Sequence, residues 1–195
     1  MKEIWGRKLS TVEILKRCEL FLGLDDNDLQ KIVDLPSCQG KACKTREIIF
    51  RAGEEAKHLY VLEEGRVDLV VKMPTSSSHL PEQTVVRTIT KGGIFGWSAL
   101  VPPHVFTMSA ISKEPSKVVA ISGNELRTLF DKDTHLGYEV MDSLIRVVGA
   151  RVRNIEQLLV TGKRSPFFEK PKNGQVITNL PVSNVSPPSA GAPQD

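Results

Sequence analysis

Apolar positions along this chain change period twice. From Ser10 to Gly23 they recur at helical spacing, with Ile14, Leu15, Cys18, Phe21 and Leu22 on one face. Ser10-Thr11-Val12-Glu13 fits a capping box, in which the Ser and Glu side chains each satisfy a backbone N–H at the helix start. Gly23 ends this helix. Asp25 with Asp28 opens a second one, carrying Leu29, Ile32 and Val33 and closed by Pro36. The runs then shorten to β type: Ile48-Ile49-Phe50, Leu59 to Leu62, Val67 to Val71, Val85 to Ile89, Met108 to Ile111 and Val118 to Ile121. Turn signals separate them at Gly53, Glu64-Gly65, Pro74 to Pro81 and Gly92-Gly93, and the Ser/Pro-rich stretch 74–81 reads as an exposed hairpin loop. Many short strands at this spacing predict a sandwich or jelly roll.

Helical spacing returns at Ser122-Gly123-Asn124-Glu125, a second capping box whose helix runs through Phe130. A long helix follows from about Thr134 to Val160, with Met141, Leu144, Val148, Val152, Ile155 and Leu158 approximating a heptad stripe. At 1.5 Å per residue it is roughly 40 Å long, more than packing on a small barrel needs. The stripe is expected to be a homodimer seam; the alternative is a helix folded wholly onto its own barrel. After Gly162 six prolines lie among Ser, Asn and Gly with no sustained period, the mark of a disordered tail. The expected organisation is therefore N-terminal helices over 1–37, a β-roll ligand-sensing domain over 38–122, a short helix plus a long dimerisation helix over 123–162, and a Pro-rich tail over 163–195.

Composition narrows the function. A hydrophobic share of 40% and a charged share of 25% over 195 residues suit one domain with a real core. Net charge is +3, and before Lys163 the chain carries 22 basic and 21 acidic groups, which gives no electrostatic footprint for direct nucleic-acid binding. Cys18, Cys38 and Cys43 lack CxxC spacing, and His58, His79, His104 and His135 are scattered, so no metal site is expected. GxSxG, P-loop and dinucleotide fingerprints are missing, which points away from an enzyme. No apolar run is long enough for a signal peptide or membrane span, so a cytoplasmic protein without membrane contact is expected.

Candidate chemistry concentrates between Gly92 and Ala110. Two glycines admit a tight turn, Ile94 and Phe95 can plug the barrel, and Gly96 lets backbone approach a ligand. Trp97 to Val101 can make one helical turn before Pro102-Pro103 stop it, with the N–H groups of Ser98, Ala99 and Leu100 available to an anion.

Three stretches carry a resemblance: Ile48-Ile49-Phe50-Arg51-Ala52-Gly53-Glu54, Leu59-Tyr60-Val61-Leu62-Glu63-Glu64-Gly65-Arg66-Val67, and Gly93-Ile94-Phe95-Gly96. In order and spacing they resemble the cyclic-nucleotide-binding domain of the catabolite-activator and fumarate–nitrate-regulator superfamily, over about Thr11 to Val160. The resemblance implies a mainly β fold with flanking helices, a jelly roll, and a stand-alone form without a helix-turn-helix domain. It makes Gly96 to Thr107 the phosphate-binding cassette, which in that family reads Phe-Gly-Glu, a short helix, then an Arg followed by small residues. Phe95 and Gly96 match; Trp97 stands at the Glu and His104 near the Arg, with Val105 and Phe106 where small residues belong. Each charge-assisted hydrogen bond contributes roughly 1.5–3 kcal/mol, so losing two removes on the order of 10²–10⁴ in affinity. Arg151 on the long helix or Arg87 on a strand is a candidate replacement. Trp97 and Phe106 favour an apolar or planar ligand over an ordinary cyclic nucleotide. The expectation is a sensor, dimeric through the long helix, that binds a cyclic nucleotide or another small anionic or aromatic ligand and acts on an unknown protein partner. Its competitor is a ligand-free dimerisation or adaptor module in which Trp97 seals the pocket.

Overall fold

Among the described residues, eight antiparallel strands form two four-stranded sheets: β1 Gln39–Cys43, β2 Ile48–Phe50, β3 His58–Glu64, β4 Val67–Met73, β5 Glu82–Ile89, β6 Ile94–Phe95, β7 Ser109–Ser112 and β8 Ser116–Ser122. One sheet is ordered β1-β8-β3-β6 and the other β2-β7-β4-β5. The helices are α1 Thr11–Lys16, α2 Asp26–Val33, α3 Gly123–Lys132 and α4 Thr134–Thr161. This is the mainly β jelly roll with flanking helices that the sequence predicts. The computed structural model describes residues 10–73 and 82–161, with only the backbone at 73, 82–83 and 154–161. The loop 74–81, the tail 163–195 and the side chains of Ile155 and Leu158 lie outside the described residues. The chain divides after Arg151: the roll and its helices form one unit, and a second begins at Val152 within α4.

Why β3 reads as an unbroken apolar run is clear from its two faces. Tyr60 and Leu62 join the core inside the roll with Phe50, Val67, Leu69, Ile89, Phe95, Phe106 and Val118. Leu59 and Val61 point the other way, into a second core with Leu15, Phe21, Leu29, Ile32, Leu126, Leu136, Val140 and Leu144. A strand buried on both faces loses its alternation. β1 and β6 were invisible to pattern for opposite reasons: β1 is exposed at four of its five positions, and β6 has two residues.

The Ser10 capping box forms in both directions, but α1 stops at Lys16. Cys18, Leu20 and Phe21 are then buried from turns, while Leu22, expected on the helical face, is 62% exposed. At the second box only half the expected pattern forms. Ser122 Oγ accepts from the Glu125 N–H at 3.3 Å. The Glu125 carboxylate instead accepts from the Ser37 N–H and hydroxyl at 3.1 and 2.8 Å, and Ser37 Oγ accepts from the Ser122 N–H at 2.8 Å. Ser37 thus relays the box and pins the chain after α2 to α3.

Two buried serines hold one end of the roll. Ser112 Oγ lies 2.7 Å from Glu114 O and 3.0 Å from Ser116 Oγ, which is itself 3.2 Å from Arg66 O. Gly65, at φ +87°, leaves no room for a Cβ beside Ser116. The β3–β4 and β7–β8 turns are thereby joined across the two sheets.

On α4 the expected stripe is corrected by one residue. Leu136, Val140 and Leu144 follow i, i+4, i+8 spacing into the chain's own core, so Leu144 is 2% exposed and unavailable to a seam. Tyr138, Ile145 and Val152 are 69%, 68% and 47% exposed at seven-residue intervals. Met141 and Val148 are half-buried between these faces.

Burial pushes the Cys18 thiol up from 9.0 to about 12. The raised folded value makes its contribution to stability fully present below pH 9, and that contribution is lost as pH climbs from 9 towards 12, because the unfolded thiol ionises first. Urea unfolding followed across that window is expected to weaken at up to about 1.4 kcal/mol per pH unit from this group, and less so in Cys18→Val.

Candidate functional site

The strand β6 delivers the chain to the site. Ile94 and Phe95 are both fully buried, and Gly96 then turns at φ +73°. A Cβ there would lie 2.9 Å from His58 O and 3.0 Å from Tyr60 Cδ2. The glycine is therefore required by close packing on β3. A single 3-10 turn, Trp97–Ala99, follows. It is closed by the Ala99 N–H to Gly96 O at 3.0 Å and the Leu100 N–H to Trp97 O at 2.9 Å.

Those two bonds correct the expected anion site, since the Ala99 and Leu100 amides are engaged within the turn. Both residues are buried, Leu100 in the helical core, and Arg127 donates to Ala99 O. His104, at φ +56°, places Nδ1 3.3 Å from Ser98 O, a contact that needs the proton on Nδ1. It supports the turn and does not line the cleft. Val105 is 38% exposed and bridges Glu55. The chain re-enters the roll at Phe106.

Phe106 is 5% exposed, and its ring centroid lies 3.7 Å from that of Phe50 with planes 12° apart. Phe50 continues to Phe95 at 6.0 Å, and Phe95 to Tyr60 at 5.1 Å. Beside this column a cleft of about 30 Å³ is lined by Phe50, Leu69, Gly96, Trp97, Ser98, Phe106, Thr107 and Met108. That is space for one or two waters. Neither a carboxylate nor a guanidinium is among the lining groups.

Of the expected site residues, the structure brings together Gly96, Trp97, Ser98 and Phe106. Ala99, Leu100, His104, Val105 and Arg151 stand elsewhere. Trp97 is half-buried and packs on the helical core, and it lines the cleft together with the buried Phe106. Arg151 donates to Glu19 at 2.8 Å and to Ile94 O at 3.0 Å; a carboxylate and a strand edge hold it outside the cleft. Arg87 stands opposite Leu69 in the β4–β5 ladder, and opposed residues of antiparallel strands share a face. Burial first, then the neighbouring Arg151, lowers its pKa to about 10. Phe50, Leu69, Thr107 and Met108 were missed. Phe50 and Leu69 looked like ordinary strand interior, and Thr107-Met108 like the approach to β7. Among the described residues no group of three His, Cys, Asp or Glu is placed to hold a metal, and no helix is long and apolar enough to cross a membrane.

The fold is a jelly roll with flanking helices, and comparison with known proteins gives its family. Residues 41–133 match the family described as the cyclic nucleotide-binding domain. A solved structure from Geobacter metallireducens, described as a cyclic nucleotide-binding protein, shares 30% identity over 74% of this chain and 99% of its own, with a TM-score of 0.61. The chain belongs to the cyclic nucleotide-binding domain family. It is 28% identical over 106 residues to isozyme 1 of the cGMP-dependent protein kinase of Drosophila melanogaster, covering 54% of this chain but only 13% of the kinase. The fold is also that of the regulatory subunit of a cAMP-independent protein kinase A from Trypanosoma brucei, solved as a triple mutant bound to cAMP (22% identity, TM-score 0.58, 71% of this chain and 46% of that one).

Gly96→Ala tests the geometry. Left-handed backbone and a close Cβ are expected to cost about 1–3 kcal/mol or more in urea unfolding, with Trp97 emission shifted in the native baseline.

Proposed function

We propose that this chain is a regulatory domain that keeps its family's architecture but takes a small, flat, largely apolar ligand in place of a cyclic nucleotide. The observation that carries this reading is Phe106 pressed on Phe50 in a cleft without formal charge. A cyclic phosphate entering there would be stripped of water against aromatic carbon, with no carboxylate or guanidinium among the lining residues; Arg87, opposite Leu69 in the ladder, is not one of them. A planar ring that displaces Phe106 keeps the stacking energy and needs no counter-charge. Binding then favours the arrangement with Phe106 out, and the shift passes from the cassette to α4 and on to a protein partner in the cytoplasm. The role is regulation, with neither catalysis nor direct nucleic-acid contact.

A second reading has its own support: 30 Å³ is far below the roughly 300–1,000 Å³ of an ordinary ligand site. On that reading Phe106 is a permanent plug and the domain is a ligand-free adaptor. Titration of the full chain followed by Trp fluorescence and melting temperature separates the two. The expected result is no response to cAMP or cGMP and a saturable response to a neutral planar aromatic compound, tightened on the order of tenfold in Phe106→Ala, where the competing ring is gone. Trp97→Glu with Phe106→Arg, which introduces a carboxylate and a guanidinium into the cleft lining, is expected to gain cAMP binding. Tight cAMP binding by the wild type overturns the proposal; silence across a broad aromatic panel favours the adaptor.

The partner surface we assign to α4 is its outward row, Tyr138 and Ile145 flanked by Met141 and Val148, as a homodimer seam. Light scattering of Ile145→Asp is expected to give a monomer with a native circular dichroism spectrum. An unchanged mass, or a monomeric wild type, would remove the seam.

A further inference from the structure

β6 is the edge strand of its sheet. Ile94 pairs with Val61, but the adjoining ladder bonds to Leu62 run from Gly92 N–H and Gly93 O. The N–H and C=O of Ile94 therefore face outward, where a sheet normally meets water or another strand. Two side chains from distant parts of the chain meet them instead. Glu19 Oε1 accepts from the Ile94 N–H at 3.2 Å, and Arg151 Nη2 donates to Ile94 O at 3.0 Å. The same Arg151 Nη2 donates to the same Glu19 Oε1 at 2.8 Å, closing a ring of three. The Glu19 N–H adds a bond to Gly92 O at 3.2 Å. The Arg151 side chain is 12% exposed and its Nε is buried without a partner.

We infer that Glu19 and Arg151 form a clasp that stands in for a missing neighbouring strand and is the link by which the cleft sets the position of α4. The inference rests on the reading that the state of the cleft is passed to that helix. Arg151 lies 17 residues into α4, roughly 25 Å from its start, so it grips the helix far from the α3–α4 corner. On the cleft side the path is short: Phe106 stacks on Phe50, Phe50 lies against Phe95, and Phe95 follows Ile94 in the chain. A displaced Phe106 pushes on the strand whose outer edge the clasp holds. Arg151 is largely buried and Glu19 half-buried, and a pair held in this ring is either made or broken, which gives the link two positions. Glu19 and Arg151 are positioning residues: they act through Ile94 and touch no ligand.

Hydrogen exchange by mass spectrometry on the full chain, without ligand, tests this. In Glu19→Gln and in Arg151→Met, exchange at Ile94-Phe95 and in α4 residues 144–151 is expected to rise together by on the order of tenfold, while α2 is unchanged. The double variant is expected to exceed neither single one. Arg151→Lys, which keeps the charge, is expected to recover part of the protection and serves if the methionine variant fails to fold. Phe106→Ala supplies the coupling readout: its effect on exchange at 144–151 is expected in the wild-type background and is expected to vanish in Arg151→Met. If Phe106→Ala still reaches α4 without Arg151, the clasp is overturned while the relay survives. If it reaches α4 in neither background, the relay reading falls and takes the clasp with it.

Discussion

The near-parallel contact of Phe106 with Phe50, at 3.7 Å, decides what the rest of the cleft can be. Two rings at van der Waals distance leave no layer between them. Phe106 can reach that position because the chain turns at Gly96, tucks the 3-10 turn onto β3, and bridges back through Val105 and Glu55. The aromatic column then runs through Phe95 into the shortest strand of the roll. The cleft is thus closed by ring carbon.

Much of the fold was legible in the chain. Both α1 and α2 start where their capping residues say, and six of the eight strands fall on the apolar runs. Where reading failed, the signal was absent for physical reasons. β1 is held by backbone pairing with β8 and shows almost no buried side chains. Leu144 and Ile145 are adjacent leucine-like residues, and one-dimensional spacing could not say which of them faces the roll. In the site, Gly96, Trp97, Ser98 and Phe106 were legible because they sit in one segment. Phe50 and Leu69 arrive from other strands, and only the register of the sheets places them beside that segment. His104 and Arg151 drew attention by charge, yet each is occupied by a nearer partner.

The long helix shows how one element can serve two surfaces. Its inner face is fixed by Leu136, Val140 and Leu144, and its outer face presents Ile145 and the ring of Tyr138. Such exposed apolar residues at heptad spacing carry a solvation penalty that a second helix would relieve. Between the faces, Arg146 pairs with Asp142 at 2.6 Å, a rim contact of little net energy.

The serine pair at the far end of the roll gives the molecule a direction. Ser112 and Ser116 join the β3–β4 and β7–β8 turns, each of which crosses from one sheet to the other, through hydroxyls and carbonyls, and Ser112 lies at the end of β7 away from Met108 and the cleft. At the cleft end the stacked rings are joined by backbone bonds that tie the Phe106 segment to the β2–β3 turn, Phe106 N–H to Glu54 O at 3.0 Å and Gly53 N–H to Phe106 O at 2.8 Å. The two poles of the roll therefore answer to different perturbations: a change of ring size is felt at the cleft, and a lost hydroxyl at the opposite pole.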